Sequence, residues 1–558
     1  MSSAAPQRPP WLFGPRSDLL IGCGLLYALA FALSLSYGRQ IRSAQPELVA
    51  QLVGLLIGTP HYGATLLRVY EERGERRRYA VFTLWATLAV LAVFAAGLWV
   101  VAIGSFLFTL YLSWSPWHYS GQNYGLAVMF LRRSGFELEA RAKRWLYLSY
   151  LFSFLLVLTG IHRAVPGAEA ASAGYAPSSA QFQPLGIPAA DATVLGGCFL
   201  ALSLFFLVRA GIALRRAPRR ALLAAGLLSL SQLLWFSLPF GVHVLALVTD
   251  LDPLDFRFRP HYFVWIGAAH SAQYLWVTAY FARQSGPWPG QLGNYGRVLL
   301  AGSAAFAVPT LLFGTRAFGP IAFDRGLANI VEAAVNVHHF ILDGAIWKLR
   351  GRIAEILVRR KADVADAGLR PRSAALRRLV WGVCAAALAA SLFGTAGNAL
   401  LTLDARSGRF GRAALLADAL AWLGRDRVGV RAAFAQLLLQ AQRFDEARAQ
   451  LLQAEALEPS AALRQLIGVC YERQGEYRLA AEAYGAAAEM GGIAPAGRAV
   501  ALRKAGLSWL AAGAPHEAIG LFERARAADP ATAQETEALI ARAQQALAAA
   551  RARSFERR

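Results

Sequence analysis

Up to residue 400 the apolar residues fall in blocks of about twenty, and no other feature limits the fold so tightly. A helix rising ~1.5 Å per residue needs that length to cross the ~30 Å hydrocarbon core of a bilayer. Eleven blocks can be drawn, at 17–38, 48–70, 79–99, 104–131, 145–162, 192–214, 221–248, 261–282, 297–314, 327–347 and 379–400. Each is apolar around most of its helical circumference, as a lipid-facing helix must be. Hydrophobic residues make up 56% of the chain and charged ones 16%, too few to clothe soluble domains over this length. The expected fold is all-α: a polytopic transmembrane helix bundle of about 11 spans, followed by a helical-repeat domain.

Basic residues set the expected orientation. The stretches on the N-terminal side of the membrane (1–16, 71–78, 132–144, 209–220, 283–297 and 348–378) carry 28 Lys and Arg, and the opposite loops carry 7. The positive-inside rule then places the N-terminus in the cytoplasm. With eleven spans, the C-terminal domain lies outside, on the far face of what would be a bacterial inner membrane. The formal charge of +22 is thus spent on topology, and nucleic acid is not an expected partner. The first apolar block is long and reads as a span rather than a cleaved signal peptide. Cys23, Cys198, Cys384 and Cys470 form no CxxC pair, which argues against a disulfide framework or a zinc ribbon. The loop 163–191 is rich in Pro, Gly, Ala and Ser and reads as irregular, and 351–378 as a basic connection.

Three domains follow: a cytoplasmic segment 1–16, the membrane domain 17–400 and a repeat domain 401–558. In the last, Ala447, Leu451, Ala454 and Pro459 recur as Ala480, Tyr484 and Ala487, with Pro495 displaced, and as Ala518, Phe522, Ala525 and Pro530. Gly468 with Tyr471, and Gly506 with Trp509, mark the first helices, and Gly475 and Gly513 the turns. Ala413, Ala417 and Leu420 give a degenerate earlier unit. The pattern resembles the tetratricopeptide repeat, an α-solenoid whose concave face binds protein partners. A packing or dimerising appendage is the plainer alternative.

The chemistry concentrates in histidines. His61, His118, His270, His338 and His339 lie inside apolar blocks, where polar groups are costly and usually functional. All five sit on even-numbered spans, nine to fourteen residues from the expected cytoplasmic ends, or about 14–21 Å. They can therefore share one layer and bind a metal, and a histidine-rich, dry site suits non-haem iron acting on a hydrophobic substrate. Neighbouring helical residues point ~100° apart, so only one of His338 and His339 is expected to bind, and His339 is favoured. Asp343, Gln122, Gln273 and Asn336 lie three or four residues from a histidine and are candidates for orienting the imidazoles from outside the coordination shell. An ion pair of Asp343 with Lys348 or Arg350 is the alternative. Trp114, Trp117, Tyr119, Tyr124, Trp265, Tyr274, Trp276 and Trp347 could wall a slot for a planar lipid, or serve as ordinary bundle aromatics. His162, His243, His261 and His516 are not expected to bind metal.

Four patches carry a family resemblance: Thr59-Pro60-His61-Tyr62-Gly63, Trp117-His118-Tyr119-Ser120-Gly121-Gln122, Ala269-His270-Ser271-Ala272-Gln273 and His338-His339-Phe340-Ile341-Leu342-Asp343. They are similar to motifs of the Brp/Blh family, membrane proteins that cleave β-carotene centrally to retinal with histidine-bound iron. The resemblance implies that His61, His118, His270 and one of His338 and His339 hold iron, and that the substrate is a carotenoid or similar lipid. Other readings stay open. They are a non-catalytic assembly or transport factor recruiting partners through its repeats, a lipid-linked-sugar glycosyltransferase and a bis-histidine haem protein. The glycosyltransferase needs an acidic residue in the first outer loop, and that loop, Arg39 to Glu47, offers only Glu47.

Overall fold

The computed structural model describes residues 10–36, 47–70, 79–164, 180–249, 260–285, 288–314, 326–349, 352–359, 374–491 and 493–556. Most of the 163–191 loop, the middle of the 351–378 connection, nearly all of the first outer loop, the start of 1–16, Arg350 and the side chain of His261 lie outside them. Among the described residues the chain is all-helical, with one isolated bridge between Arg163 and Ile187. The first unit comprises α1 (Pro15–Gly22), α2 (Leu25–Ser36), α3 (47–70), α4 (Val81–Trp99), α5 (Val101–Arg133), α6 (Ala140–Ile161), α7 (Ala189–Leu214), α8 (Arg219–Thr249), α9 (Pro260–Ser285), α10 (Gly290–Phe313), α11 (Ala328–Ile346) and most of α12 (Ala374–Arg406). Prolines set several helix starts: Pro15 opens α1, and Pro188 and Pro218 immediately precede α7 and α8, where a missing N–H costs nothing.

Among the described residues, six helices are long and apolar enough to cross a membrane: α4, α6, α7, α8, α10 and α12. The pair α1–α2, bent by 60°, makes a seventh if it counts as one span. Their outer faces carry large exposed apolar side chains, such as Trp85, Leu88 and Leu91 on α4 and Phe205, Val208 and Ile212 on α7. So much exposed apolar surface suits contact with lipid. The helices below that hydropathy are α3, α5, α9 and α11, which bear the five histidines. Each has 19 residues or more, so length is not the reason. Polar residues lower the average: α11 alone carries Glu332, Asn336, His338, His339 and Asp343.

The main part of a second compact unit begins at Ala396, inside α12 rather than after it. It continues through α13 (Phe410–Trp422), α14 (Val428–Gln440), α15 (Phe444–Leu457), α16 (Ala461–Arg473), α17 (Tyr477–Glu489), α18 (Pro495–Ala511), α19 (Pro515–Ala528) and α20 (Ala533–Glu556). From α14 onward each helix packs on the next. Ala447, Leu451, Ala454, Ala480, Tyr484, Ala487, Ala518, Phe522 and Ala525 are fully buried, as are Ala413, Ala417 and Leu420. A Cβ on Gly468 would stand 2.7 Å from the Tyr484 ring, and one on Gly506 2.5 Å from Phe522. Gly475 and Gly513 turn the chain with positive φ. Gln442 does the same with φ 59°, the one non-glycine with positive φ among the described residues.

Candidate metal centre

Each helix delivers its site residue by an identifiable local device. In α3, a π-helical stretch (Gly54–Gly58) leads into Thr59-Pro60-His61, where the absent proline N–H leaves the widened turn unopposed. Two glycines then let α3 meet α10 backbone to backbone. A Cβ on Gly63 would lie 1.8 Å from the Val298 carbonyl oxygen, and one on Gly302 2.0 Å from that of Thr59. Small residues permit this approach where larger ones would hold helices apart. His118 follows Pro116 inside α5, where the Ser120 hydroxyl donates to the carbonyl of Pro116 (2.7 Å). His270 lies in α9, and His339 and Asp343 stand one turn apart on α11.

These side chains converge. The His61 ring lies 4.3 Å from His339, 4.9 Å from His270 and 6.2 Å from His118, centroid to centroid. His270 lies 4.9 Å from His118. His339 Nε2 is 3.3 Å from His118 Nε2 and 3.3 Å from Asp343 Oδ2, and His118 Nε2 is 4.0 Å from the same oxygen. Atoms bound to one ion at 2.0–2.1 Å stand about 3.3 Å apart in a tetrahedral shell and no more than about 4.2 Å apart in any shell. All three observed spacings fit. One ligand atom from each of His61, His118, His339 and Asp343 falls within 4.8 Å of the others, so His61 needs a small approach to complete the set.

Hydrogen bonding fits a bound cation as well. Ser271 Oγ lies 3.2 Å from His61 Nδ1, leaving His61 Nε2 buried and without a partner. Neither ring nitrogen of His270 has a partner among the described residues, although both are buried. Buried polar atoms are almost always paired, so unpaired imidazole nitrogens in and beside the cluster of His61, His118, His339 and Asp343 suit a bound cation. Asp343 Oδ1 is held from the other side by Thr65 Oγ1 (3.0 Å) and Tyr274 Oη (2.7 Å), and Trp347 Nε1 donates to Tyr274 Oη (3.0 Å). This fixes Oδ2 toward the imidazoles.

The structure separates the adjacent histidines. His338 Nε2 turns away to Thr87 Oγ1 (2.9 Å) and Tyr70 Oη (3.2 Å). Asp343 was expected to orient His339 from outside the shell, but it stands among the imidazoles as a candidate ligand, and none of its described contacts is with Lys348. The amides also differ from expectation. Gln122 donates to the His270 carbonyl (3.0 Å) and to Gln273 Oε1 (3.1 Å), while Asn336 accepts from Tyr62 (2.7 Å) and donates to the Glu332 carbonyl. They brace backbone and a phenol rather than imidazoles. Their three- and four-residue spacing places them on the histidine face but does not aim them at a ring. Of the aromatics, Tyr119 packs on His270 (4.3 Å) and Tyr274 on His61 (4.4 Å). Trp114 packs on Phe340, Trp117 and Tyr124 turn toward α6, Trp276 donates to Asp18, Trp347 serves Tyr274, and Trp265 is exposed. His162 bonds Ser113 and the Leu185 N–H, His243 contacts Arg163, and His516 is exposed.

Sequence reading passed over Thr65 and Ser271. Thr65 sits four residues after His61 and Ser271 beside His270, which was the available signal. No family model, curated protein or solved structure matches the chain, so the site is read from its own geometry.

Proposed function

We propose that this protein is an integral membrane oxidoreductase built around one non-haem metal ion, iron first among the candidates, that acts on a hydrophobic carotenoid- or lipid-like substrate. The observation carrying this reading is the convergence of His61, His118, His339 and Asp343, from three helices, on one buried point, with His270 beside them. Histidines with a single carboxylate are a donor set for non-haem iron, which when bound would supply oxygen chemistry. The protein side of the work is positional. Thr65 and Tyr274 hold Asp343, Ser271 holds the His61 ring, and the apolar bundle keeps bulk water out. Three imidazoles and a carboxylate converging on one point, with His270 packed beside them, leave no free plane for a porphyrin, which argues against the haem reading.

In this reading α3, α5, α9 and α11 are spans despite their modest hydropathy. The count is then eleven, with the N-terminus cytoplasmic and the C-terminal unit outside. The interlocked Gly468–Tyr484 and Gly506–Phe522 pairs support a tetratricopeptide-like solenoid there, suited to a protein partner.

Metal analysis of the purified protein, with its absorption spectrum, tests the proposal. Iron near one per chain without a haem band is the expected result. His61→Ala, His118→Ala and His339→Ala should each lose most of it, because one missing ligand leaves the shell incomplete, while His338→Ala should keep it. Equal metal in the wild type and all four variants would remove the basis for an enzyme.

A further inference from the structure

Glu332 is a carboxylate inside α11 that the metal centre does not use. It lies seven residues before His339, and Tyr111 lies seven before His118. Seven residues put both about 10 Å from the histidine layer, toward the N-terminal ends of α11 and α5. There the Tyr111 hydroxyl donates to Glu332 Oε1 (2.9 Å). Tyr62, whose ring packs on His61 and His339, donates to Asn336, one turn from Glu332. Tyr119, packed on His270, aims its hydroxyl back toward Gly267, where a Cβ would stand 3.7 Å from it. Three phenols, a carboxamide and a carboxylate thus stand above the imidazoles.

These groups also face open space. Glu332 is exposed although the Tyr111 hydroxyl bonds it, so its carboxylate borders open space at this end of the bundle. Tyr62, Tyr119 and His118 are likewise only partly covered, although they sit at the centre of the bundle. The second carboxylate oxygen of Glu332 and the Tyr119 hydroxyl bond to no described residue. A carboxylate at membrane depth with one phenol for a partner is costly, and a ligand that donates hydrogen bonds would relieve that cost.

We propose that this open space is the polar end of a substrate site, where Glu332, Tyr111 and Tyr119 receive the hydrogen-bond-donating head, a hydroxyl or an ammonium, of a long-chain amphiphile whose chain reaches the metal centre. The proposal rests on the metal-centre reading for its second end and narrows the substrate class: a pure hydrocarbon has nothing to offer Glu332. The ~10 Å offset places the reacting carbon about eight carbon–carbon bonds from the head, given bonds near 1.5 Å in a zigzag.

The full-length protein in lipid nanodiscs, melted with and without 1-octadecanol, octadecylamine, octadecanoate or octadecane, tests this. The alcohol and the amine should raise the melting temperature of the wild type, and the alkane and the carboxylate should not. Glu332→Leu should weaken the apparent Kd for both by roughly tenfold or more, the loss expected for a hydrogen bond to a charged group. Glu332→Gln should keep more of the alcohol response than of the amine response, and Tyr111→Phe offers a second variant if Glu332→Leu does not fold. Metal content should match the wild type in all three variants. Equal shifts in wild type and Glu332→Leu, or an octadecane or octadecanoate shift as large as octadecanol's, would overturn the proposal. The melting readout needs no metal, so a wild type lacking metal would count against the centre alone.

Discussion

At the scale of single residues, sequence located the histidine layer but not the roles within it. The depth of His61, His118, His270 and His339 follows from counting along helices, and the rotation of His338 away from His339 follows from the helical twist. Asp343 was misjudged because sequence spacing shows which face a carboxylate shares, not which oxygen is already engaged. Thr65 and Tyr274 come from other helices, and they occupy Oδ1 and leave Oδ2 to the imidazoles. This divides the expected effects of mutation. Tyr274→Phe removes only a positioning bond and should weaken metal binding by roughly 10–100-fold, the usual cost of losing an outer partner. Asp343→Asn removes a charged ligand and should cost more than Tyr274→Phe. Chelator competition on the two variants measures the difference, and equal losses would return Asp343 to an outer role.

Among the elements, existence was legible and contact was not. Among the described residues each apolar block is helical, the first as two helices bent by 60°, but the π-helical stretch before Thr59 and the backbone contact of α3 with α10 have no signature in periodicity. Gly63 and Gly302 read in sequence as two glycines among fifty. In the structure each leaves no room for a methyl group. Gly63→Ala or Gly302→Ala should push α3 from α10 and carry His61 off the site. Metal loss in a variant that still inserts in the membrane is the expected outcome, and full metal content would show that His61 does not depend on that contact. In the second unit the turn after α14 is made by Gln442 where the matching turns use Gly475 and Gly513. A side chain in the left-handed region costs roughly 1–2 kcal/mol relative to glycine. Gln442→Gly should therefore stabilise that unit by about 1 kcal/mol in denaturant unfolding, and an unchanged or lowered stability would show that the turn carries no such strain.

For the molecule as a whole, the sequence division at residue 400 falls close to the structural one, yet the second unit recruits the end of α12, including the buried Asn398, Leu401 and Ala405. A helix that is apolar throughout gives no composition change at the place where its packing partners change. Orientation is tested by reporter fusions: activity only outside the cytoplasm after Arg558, and only inside within 351–378, is expected. The opposite pattern would overturn the eleven-span count. The order of helices along the chain has a further consequence. α3 lies between α1–α2 and α4, α5 between α4 and α6, α9 between α8 and α10, and α11 between α10 and α12. In every case a helix below spanning hydropathy is threaded between two that reach it, with α1–α2 counted as one. If the histidine-bearing helices cross as proposed, hydrophobic neighbours on either side would anchor them, and biogenesis would place a costly site in the bilayer without its helices ever having to partition there alone.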